Sequence, residues 1–514
     1  MSNVTAPVGW LLTNRKNNGT YLFMSIEVNK SFSASSADTS RQRRIGVLLI
    51  CSMSVLVVSL DVTIVNVALP SIGRDFHASL SGLQWAVDAY ALVLASFLML
   101  SGSTADRLGR RRTFVTGLGA FVAGSLLCSV APNLTTLIVF RMLQAIGGSM
   151  LNPVAMSIIT NTFTDAKERA QAIGVWAAVV GISMALGPVL GGLLVDTVGW
   201  RSIFWINIPV GILAAMLALR FIPESKASHA RKVDVRGQTL VIAFLASLTF
   251  GIIQAPSYGW TSVSTLSVFG ASLASLVAIV LWELRVDEPL IDIRFFRSLP
   301  FSAATLIAIG AFAGLGGFLF LNTLYLQSVK GLSALSAGFD TLPMAAMLFI
   351  FAPISGRVVG QFGARIPLVI GGVGISGSAL MMTDVRPGTS FLWLFSSYVI
   401  FGIGFGFVNT PITSAAVSGM PRAQAGVASA IASTSRQIGS TLGVAVVGAL
   451  ASTTTGGFFK GGFSQASRGG WWVLSGCGLA VLILGLLSTS QRARRSAETT
   501  ARLLNPEYLE GHTS

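Results

Sequence analysis

Long apolar segments recur along the whole chain, and they constrain its fold more than any other feature. Fourteen of them are candidate membrane spans, because a helix needs about 20 apolar residues to cross the hydrocarbon core. They lie near residues 45–69, 83–104, 113–131, 135–160, 171–195, 203–222, 238–256, 263–282, 302–327, 337–358, 366–385, 391–412, 425–451 and 470–490. Charged residues make up only 11% of the 514 residues, against about 25% in a typical soluble protein. The sequence therefore predicts an all-α polytopic membrane protein with fourteen transmembrane helices.

The distribution of Lys and Arg predicts how these spans are oriented. With the N-terminus in the cytoplasm, 27 of the 35 basic residues fall in cytoplasmic segments and 6 in outer loops. Basic residues concentrate in the cytoplasmic loops of membrane proteins, so we expect a multi-pass protein of the cytoplasmic (inner) membrane with both termini cytoplasmic. The net charge of +15 then belongs to loops. No nucleic-acid partner is expected, because the basic residues form no continuous patch.

Two short sequence matches indicate an internal repeat. Residues 169–172 (Arg-Ala-Gln-Ala) recur at 422–425, and Gly102–Arg111 has a weaker counterpart at Gly356–Arg365, in which Gly360 replaces Asp106. Repeats of this parallel kind build membrane proteins whose two halves enclose a central site. We therefore expect two six-helix bundles with two extra helices between them.

The repeat divides the chain into five predicted regions. These are a disordered cytoplasmic tail at 1–44, a first six-helix bundle at 45–222, two linker helices with cytoplasmic loops at 223–300, a second bundle at 301–490 and a cytoplasmic tail at 491–514.

Three ionisable residues fall inside spans of the first bundle: Asp61, Asp88 and Arg141. A charge at the centre of a membrane helix costs about 2.5–3.5 kcal/mol on insertion scales, so each should face a cavity or a partner. At a rise of about 1.5 Å per residue the three lie roughly 12, 7 and 9 Å below the outer surface. We expect one network in which Arg141 pairs with Asp61 or Asp88. Burial favours the neutral form of a carboxyl group, which suits proton loading. The alternatives are a static hydrogen-bonded Asp61, an interfacial Asp88 and a purely structural ion pair.

A loop rich in Gly and Arg, Gly102–Arg112, separates the second and third spans. Gly102 and Gly109 permit a tight turn. The carboxylate of Asp106 is expected to bond the N-terminus of a neighbouring helix, beside Arg107 and Arg110. Simple anchoring by positive charge at the cytoplasmic face explains the arginines equally well.

The fifth span carries Gly181, Gly187, Pro188, Gly191 and Gly192. Gly187 and Gly191 form a GxxxG pair, which lets another helix approach closely, and Pro188 removes one helical hydrogen bond. A flexible helix–helix seam is expected here, with ordinary packing as the alternative.

In span 13, Arg436 is either a buried charge or a side chain that snorkels to the cytoplasmic surface.

Together these segments resemble the major facilitator superfamily, and more narrowly its 14-helix drug:proton antiporter branch. The resemblance extends over about residues 45–490, and the following segments carry it: Leu60–Pro70, Gly102–Arg112, Arg141–Gly148, Gly181–Gly192 and Trp200–Asn207. It implies proton-coupled export of drugs, antibiotics or related metabolites, with an importer or symporter of the same fold as the alternative. It also implies that Arg141 takes part in proton coupling, the role that burial suggests for Asp61 and Asp88. For the loop it implies a conformational latch, and for the span 5 glycines exchange rather than symport.

Other classes of protein lack support in the sequence. There is no GxSxG, HExxH or Walker motif, so no enzyme and no ATP-driven pump is expected. Three isolated cysteines and three scattered histidines predict neither disulfides nor a metal site. The expected partners are a small organic molecule, protons and the lipid bilayer, with no cofactor besides the proton gradient and with a monomeric chain.

Overall fold

The computed structural model describes residues 20–226, 234–286, 289–418, 425–452 and 462–504, and in these ranges the chain consists of helices joined by short loops, with no strand. The first half contains α1 Thr20–Asp75, α2 Leu80–Leu108, α3 Arg110–Ser129, α4 Leu134–Thr162, α5 Ala166–Thr197, α6 Ser202–Trp205 and α7 Asn207–Phe221. Two linker helices follow, α8 Val235–Tyr258 and α9 Val263–Glu283. The second half contains α10 Leu299–Leu324, α11 Ala334–Asp340, α12 Leu342–Phe362, α13 Arg365–Met381, α14 Phe391–Val417, α15 Ala425–Ser452 and α16 Phe463–Ser488, and α17 Gln491–Leu504 ends the described chain. A 3₁₀ turn at Ile293–Arg297 precedes α10, and a π-helical turn at Tyr325–Val329 extends it.

Helix is found at all fourteen predicted spans, and twelve helices of the described chain are long and apolar enough to cross a membrane. The other two spans correspond to α13, which has 17 residues, and to α15, which carries Arg436. The chain is therefore a multi-pass helical membrane protein, and the count of fourteen spans stays a prediction.

Short polar residues begin several of these helices. Ser79 accepts a hydrogen bond from the Gly82 N–H, and Ser262 accepts one from the Thr265 N–H. Asn133 forms a reciprocal capping box with Thr136. Such caps satisfy backbone N–H groups that have no partner within the helix, so the sequence itself sets where these spans start.

The two halves pack as separate bundles that meet mainly along four helix pairs. These pairs are α1 with α10, α2 with α15, and α5 with α11 and α12. The linker helices α8 and α9 pack against each other, and α8 also covers the seam between α2 and α15. Of the predicted repeat, residues 422–424 lie outside the described residues. The counterparts Gly109 and Gly363 both end a helix with a positive φ, 114° and 78°, as a repeat requires.

Three hydrogen-bonded joints connect the halves at the end predicted to face outward. Gln84 donates to the carbonyls of Val444 and Ala445, and Gln327 donates to the carbonyl of Val67. In the third joint, Asp196 accepts from backbone N–H groups at the start of α11. No hydrogen bond or ion pair among the described residues joins the halves at the opposite end. The bundle is therefore held shut at its predicted outer end.

The apolar core follows the same division. One continuous cluster contains buried side chains of both halves, such as Ile64 and Ile72 of α1 with Phe318 and Leu321 of α10. A second cluster, which includes Val47, Phe114 and Ile158, belongs to the first half alone and lies toward the predicted cytoplasmic end. Burial of apolar surface therefore reinforces the closure at the end predicted to face outward.

Helix α1 begins earlier than the sequence predicted. The predicted disordered tail ends at residue 44, whereas helix is described from Thr20 onward. Adding residues to an existing helix avoids the cost of a new nucleus, so a polar segment can continue the membrane span that follows it. Residues 1–19 lie outside the described residues. At the other terminus, α17 buries Ala493 and Ala497 and packs against α10.

Candidate functional site

The carboxylate of Asp61 lies in the middle of the first half and is completely buried. It forms an ion pair with the Arg141 guanidinium. Its Oδ1 atom also accepts hydrogen bonds from Gln144 Nε2 at 2.8 Å and from Asn207 Nδ2 at 3.0 Å. With donors on both oxygens, the surroundings of Asp61 are built for the ionised form of its carboxyl group.

Arg141 is enclosed as tightly as its partner, with 2% of its surface exposed. Besides Asp61, it donates to Gln144 Oε1 at 2.8 Å and to the Ala86 carbonyl at 3.4 Å. Its guanidinium carbon lies 4.2 Å from the centroid of the Tyr90 ring, so a cation–π contact adds to the ion pair. Removing one member of such a buried pair leaves the other charge without compensation.

Ser125 completes this network from a further helix. Its hydroxyl accepts from Gln144 at 2.8 Å and from Asn207 at 3.3 Å. The five side chains therefore connect α1, α3, α4 and α7, and a change of charge at Asp61 acts on four helices at once. We call this set the Asp61 network: Asp61, Ser125, Arg141, Gln144 and Asn207.

Asp88 is not part of the Asp61 network, contrary to the expected arrangement of three residues. It is fully buried in α2, and neither carboxyl oxygen has a hydrogen-bond partner among the described residues. Gln84, one turn earlier on the same helix face, bonds the backbone of α15. Its position along the helix predicted that Asp88 lies at the depth of Arg141. The rotation of α2 about its axis instead places Asp88 on the same face as Gln84, toward the contact between the halves.

A small cavity of about 40 Å³ lies between the halves, beside the joints at the end predicted to face outward. Its polar lining consists of Thr63, Asn66, Thr323, Gln327 and Thr341, and the remainder is apolar, with two methionines and two phenylalanines. None of its lining residues is ionisable. The lining thus presents hydrogen-bonding groups and apolar surface without charge, and the buried Asp61 network is not part of it.

The loop between α2 and α3 differs from its predicted geometry. Gly102 lies inside α2, and the turn is made by Gly109 at a φ of 114°. The carboxylate of Asp106 pairs at 3.0 Å with the side chain of Arg110, the first residue of α3, instead of bonding the backbone N–H groups at a helix N-terminus. That N-terminus is bonded by Glu224, whose oxygens accept from the backbone N–H groups of Arg111 and Arg112. Arg107 is exposed.

The glycines of span 5 face two different neighbours. A Cβ atom at Gly187 would lie 2.0 Å from Thr63 Oγ1, and one at Gly191 would lie 2.7 Å from Ile64, so both glycines are required for the contact of α5 with α1. A Cβ atom at Gly192 would lie 2.5 Å from the backbone of α11 in the other half. The close helix–helix contact expected at these glycines is present, and its flexibility stays a prediction.

Pro188 and Gly181 take part in contacts between the halves. The backbone oxygen of Pro188 touches Gly338, where a Cβ atom would lie 2.3 Å away. At Gly181, a Cβ atom would lie 3.6 Å from the Phe349 ring of α12, an ordinary contact distance. The contact of α5 with the other half is therefore tighter at Pro188 than at Gly181.

Several residues of the site were not assigned a role from the sequence. Gln144 and Asn207 fall inside Arg141–Gly148 and Trp200–Asn207, two of the segments that carry the family resemblance. Membership of these segments could have identified both residues as candidates. Glu224 and Asp196 gave no such signal, since each acts on a helix that is distant in sequence.

The structure provides no obvious metal-binding cluster in the part of the chain that it describes. No group of three or more His, Cys, Asp or Glu side chains is close enough there to hold an ion. Cys51, Cys128 and Cys477 are free thiols.

Comparison with known proteins places this architecture in a family. The model of the Major Facilitator Superfamily matches residues 51–444. The chain is 37% identical over 426 residues to the tetracenomycin C resistance and export protein of Streptomyces glaucescens, covering 82% of this chain and 78% of that protein. It is also 37% identical over 403 residues to the multidrug resistance protein Stp of Mycobacterium tuberculosis, covering 78% and 75%. Identity to the methylenomycin A resistance protein of Streptomyces coelicolor is 32% over 450 residues, covering 86% and 92%.

Solved structures agree on the fold. A D-xylose–proton symporter superposes with a TM-score of 0.62 at 15% identity, covering 86% of this chain and 97% of that one. The peptide transporter POT in complex with sulfate gives a TM-score of 0.64 at 15% identity, covering 88% and 95%. With the family model spanning most of its length, this chain belongs to the major facilitator superfamily.

Proposed function

We propose that this protein is a proton-coupled antiporter that exports drugs, antibiotics or related small organic compounds across the cytoplasmic membrane by alternating access. The observation that carries the proposal is the buried Asp61–Arg141 pair beside a cavity between two halves. The export and resistance proteins among its relatives support the choice of cargo class.

The Asp61 network supplies the proton-responsive element. In this conformation the outer end is shut and three donors surround the Asp61 carboxylate, which fits the state after a proton has left toward the cytoplasm. A proton arriving at Asp61 removes the charge that holds Arg141, and the four helices joined by the network can then repack. Because Asp61 is completely buried here, proton exchange belongs to other steps of the cycle.

The seam between α2 and α15 supplies a second candidate for proton binding. An unpaired charge in such a dry site is costly, so the neutral acid is the form of Asp88 that fits this closed seam. Opening the outer end must separate α2 from α15 and would let water reach Asp88. Closure then requires a proton on Asp88, so proton uptake and closure are linked at this position.

Transport into everted membrane vesicles tests the proposal. A panel of cationic, neutral and acidic aromatic compounds is offered with and without an inwardly acidic pH gradient. Wild type is expected to accumulate part of the panel only with the gradient, and Asp61→Asn is expected to fold but to lose the accumulation. The matched control is Asp384→Asn, which removes an exposed carboxylate in an outer loop.

Three results would count against the proposal. Gradient-driven accumulation by Asp61→Asn equal to wild type would remove Asp61 from coupling. Failure of wild type to move any compound would remove the export function. Cargo that moves in the same direction as the protons in a counterflow assay would identify a symporter instead.

A further inference from the structure

Arg436 of α15 is a half-buried cation with no acidic partner among the described residues. One guanidinium nitrogen donates to the Thr413 hydroxyl of α14. Its Nε atom is enclosed and has no hydrogen-bond partner. Ionisable groups within membrane spans are costly and are normally paired, so this arrangement calls for a partner that the described protein does not supply.

The position of Arg436 does not fit a side chain that snorkels to the surface. It lies eleven residues beyond Ala425, the first residue of α15, which corresponds to about 16 Å along the helix. Its guanidinium points to Thr413 on α14 and to the Phe312 ring of α10, 5.9 Å from its centroid. The charge therefore faces the interior of the second half.

Aromatic rings connect Arg436 to the central cavity. The Phe312 ring lies 5.1 Å from the Phe405 ring, and the Phe405 ring is stacked against the Phe401 ring at 6.1 Å. Phe401 and Phe405 both line the cavity. These rings form a continuous aromatic wall from the cavity to Arg436, whose guanidinium lies behind Phe312 and outside the cavity lining in this conformation.

The cavity offers no competing charge. None of its lining residues is ionisable, and the carboxyl groups of Asp61 and Asp88 are both fully buried away from it. A cationic compound would find no carboxylate in this conformation. An acidic oxygen would find in Arg436 an unpaired donor with a geometry suited to carboxylates and similar groups.

We propose that Arg436 binds an acidic oxygen of the cargo, so that the compounds this protein handles include aromatic molecules with a carboxylate, a sulfonate or an ionised phenol. This inference rests on the proposed export function. Phe312, Phe401 and Phe405 hold the aromatic part, and Thr413 keeps the guanidinium in place.

Equilibrium binding to the full chain in nanodiscs tests this role, with two probes that differ by one sulfonate. The acidic probe is 1-anilinonaphthalene-8-sulfonate, and the neutral probe is N-phenyl-1-naphthylamine. Arg436→Gln is expected to weaken binding of the acidic probe by about 10-fold or more, because hydrogen bonds to charged groups contribute about 1.5–3 kcal/mol. Binding of the neutral probe should change less than about threefold, and Arg436→Lys should fall between, since it keeps the charge without the planar fork.

Controls separate this role from general effects of charge and folding. Arg365→Gln removes an exposed positive charge of the same half and should leave both affinities unchanged, and empty nanodiscs give the background from lipid. If Arg436→Gln does not fold, Thr413→Val provides a second test, because it keeps the charge of Arg436 but removes the hydroxyl that positions it. Thr413→Val should weaken binding of the acidic probe and leave binding of the neutral probe unchanged.

Three results would each overturn the inference. Arg436→Gln could weaken binding of both probes equally, it could leave the affinity for the acidic probe unchanged, or wild type could show no saturable binding of that probe. Because no gradient is applied, a failure of proton coupling would leave this result intact and would show separately in the vesicle assay.

Discussion

The carboxylate of Asp196, at the end of α5, lies 2.8 Å from the backbone nitrogen of Leu335, in the first turn of α11. Its other oxygen accepts from the Ala334 N–H at 3.2 Å. A side chain of one half thus caps a helix of the other half, and a negative charge is favoured at such an N-terminus. The contact can exist only while this end of the bundle, which is predicted to face outward, is closed.

Replacing Asp196 by Ala should shift the protein toward outward opening. Loss of a capping side chain costs about 0.5–2 kcal/mol, which corresponds to a roughly 2- to 30-fold change in the ratio of closed to open forms. The measurement is the rate at which an impermeant maleimide, added from outside, labels Thr323→Cys in the cavity. Asp75→Ala is the matched control, because Asp75 bonds Trp200 and Arg201 within one half. Equal labelling rates in both variants would show that Asp196 does not hold the closure.

Gly187→Ala should destabilise the protein much more than Gly181→Ala, although both lie in the same motif. The new methyl group at 187 would lie 2.0 Å from Thr63 Oγ1, whereas that at 181 would lie 3.6 Å from the Phe349 ring. Overpacking of a tight contact costs about 1–3 kcal/mol. Thermal unfolding in detergent compares the two variants, and the same unfolding temperature for both would contradict the close α1–α5 contact.

Glu224→Gln should lower the unfolding temperature more than Asp106→Asn does. Glu224 bonds two backbone N–H groups at the N-terminus of α3, where a negative charge contributes about 0.3–1 kcal/mol. Asp106 of α2 pairs with Arg110, the first residue of α3, at a partly exposed position, and exposed ion pairs contribute about 0–1 kcal/mol, often nothing measurable. Gln retains the shape of Glu, so the difference reports the charge. A larger loss in Asp106→Asn would restore the expected capping role of Asp106.

Asp88→Asn should be tolerated in folding but should impair coupling, whereas Asp88→Arg should disrupt the seam between α2 and α15. The amide matches the neutral acid in shape and charge, and both Asp88 oxygens lack partners here. The expected result in vesicles is cargo binding like that of wild type with loss of gradient-driven accumulation. Full accumulation by Asp88→Asn would limit proton coupling to the Asp61 network.

Sequence reasoning was most accurate where a local pattern decides the outcome. Hydrophobic length placed every predicted span in a helix, because each backbone polar group in lipid must bond within its own segment. The cost of burying a charge predicted that Arg141 would have an acidic partner, and the structure supplies Asp61. Depth along a helix could not separate Asp61 from Asp88, since it leaves the rotation of each helix undetermined.

The amino-acid sequence by itself determined the membrane-spanning helices, the two-half organisation and the identity of the ionisable residues within the spans. Only the tertiary structure decided that Asp61 belongs to a five-residue network, that Asp88 faces the seam, that Glu224 caps α3 and that Arg436 has no acidic partner among the described residues. The physical reason is the separation along the sequence over which each effect acts. Hydrophobic length and helix capping depend on residues close together in sequence, whereas these contacts depend on how helices distant in sequence rotate and pack.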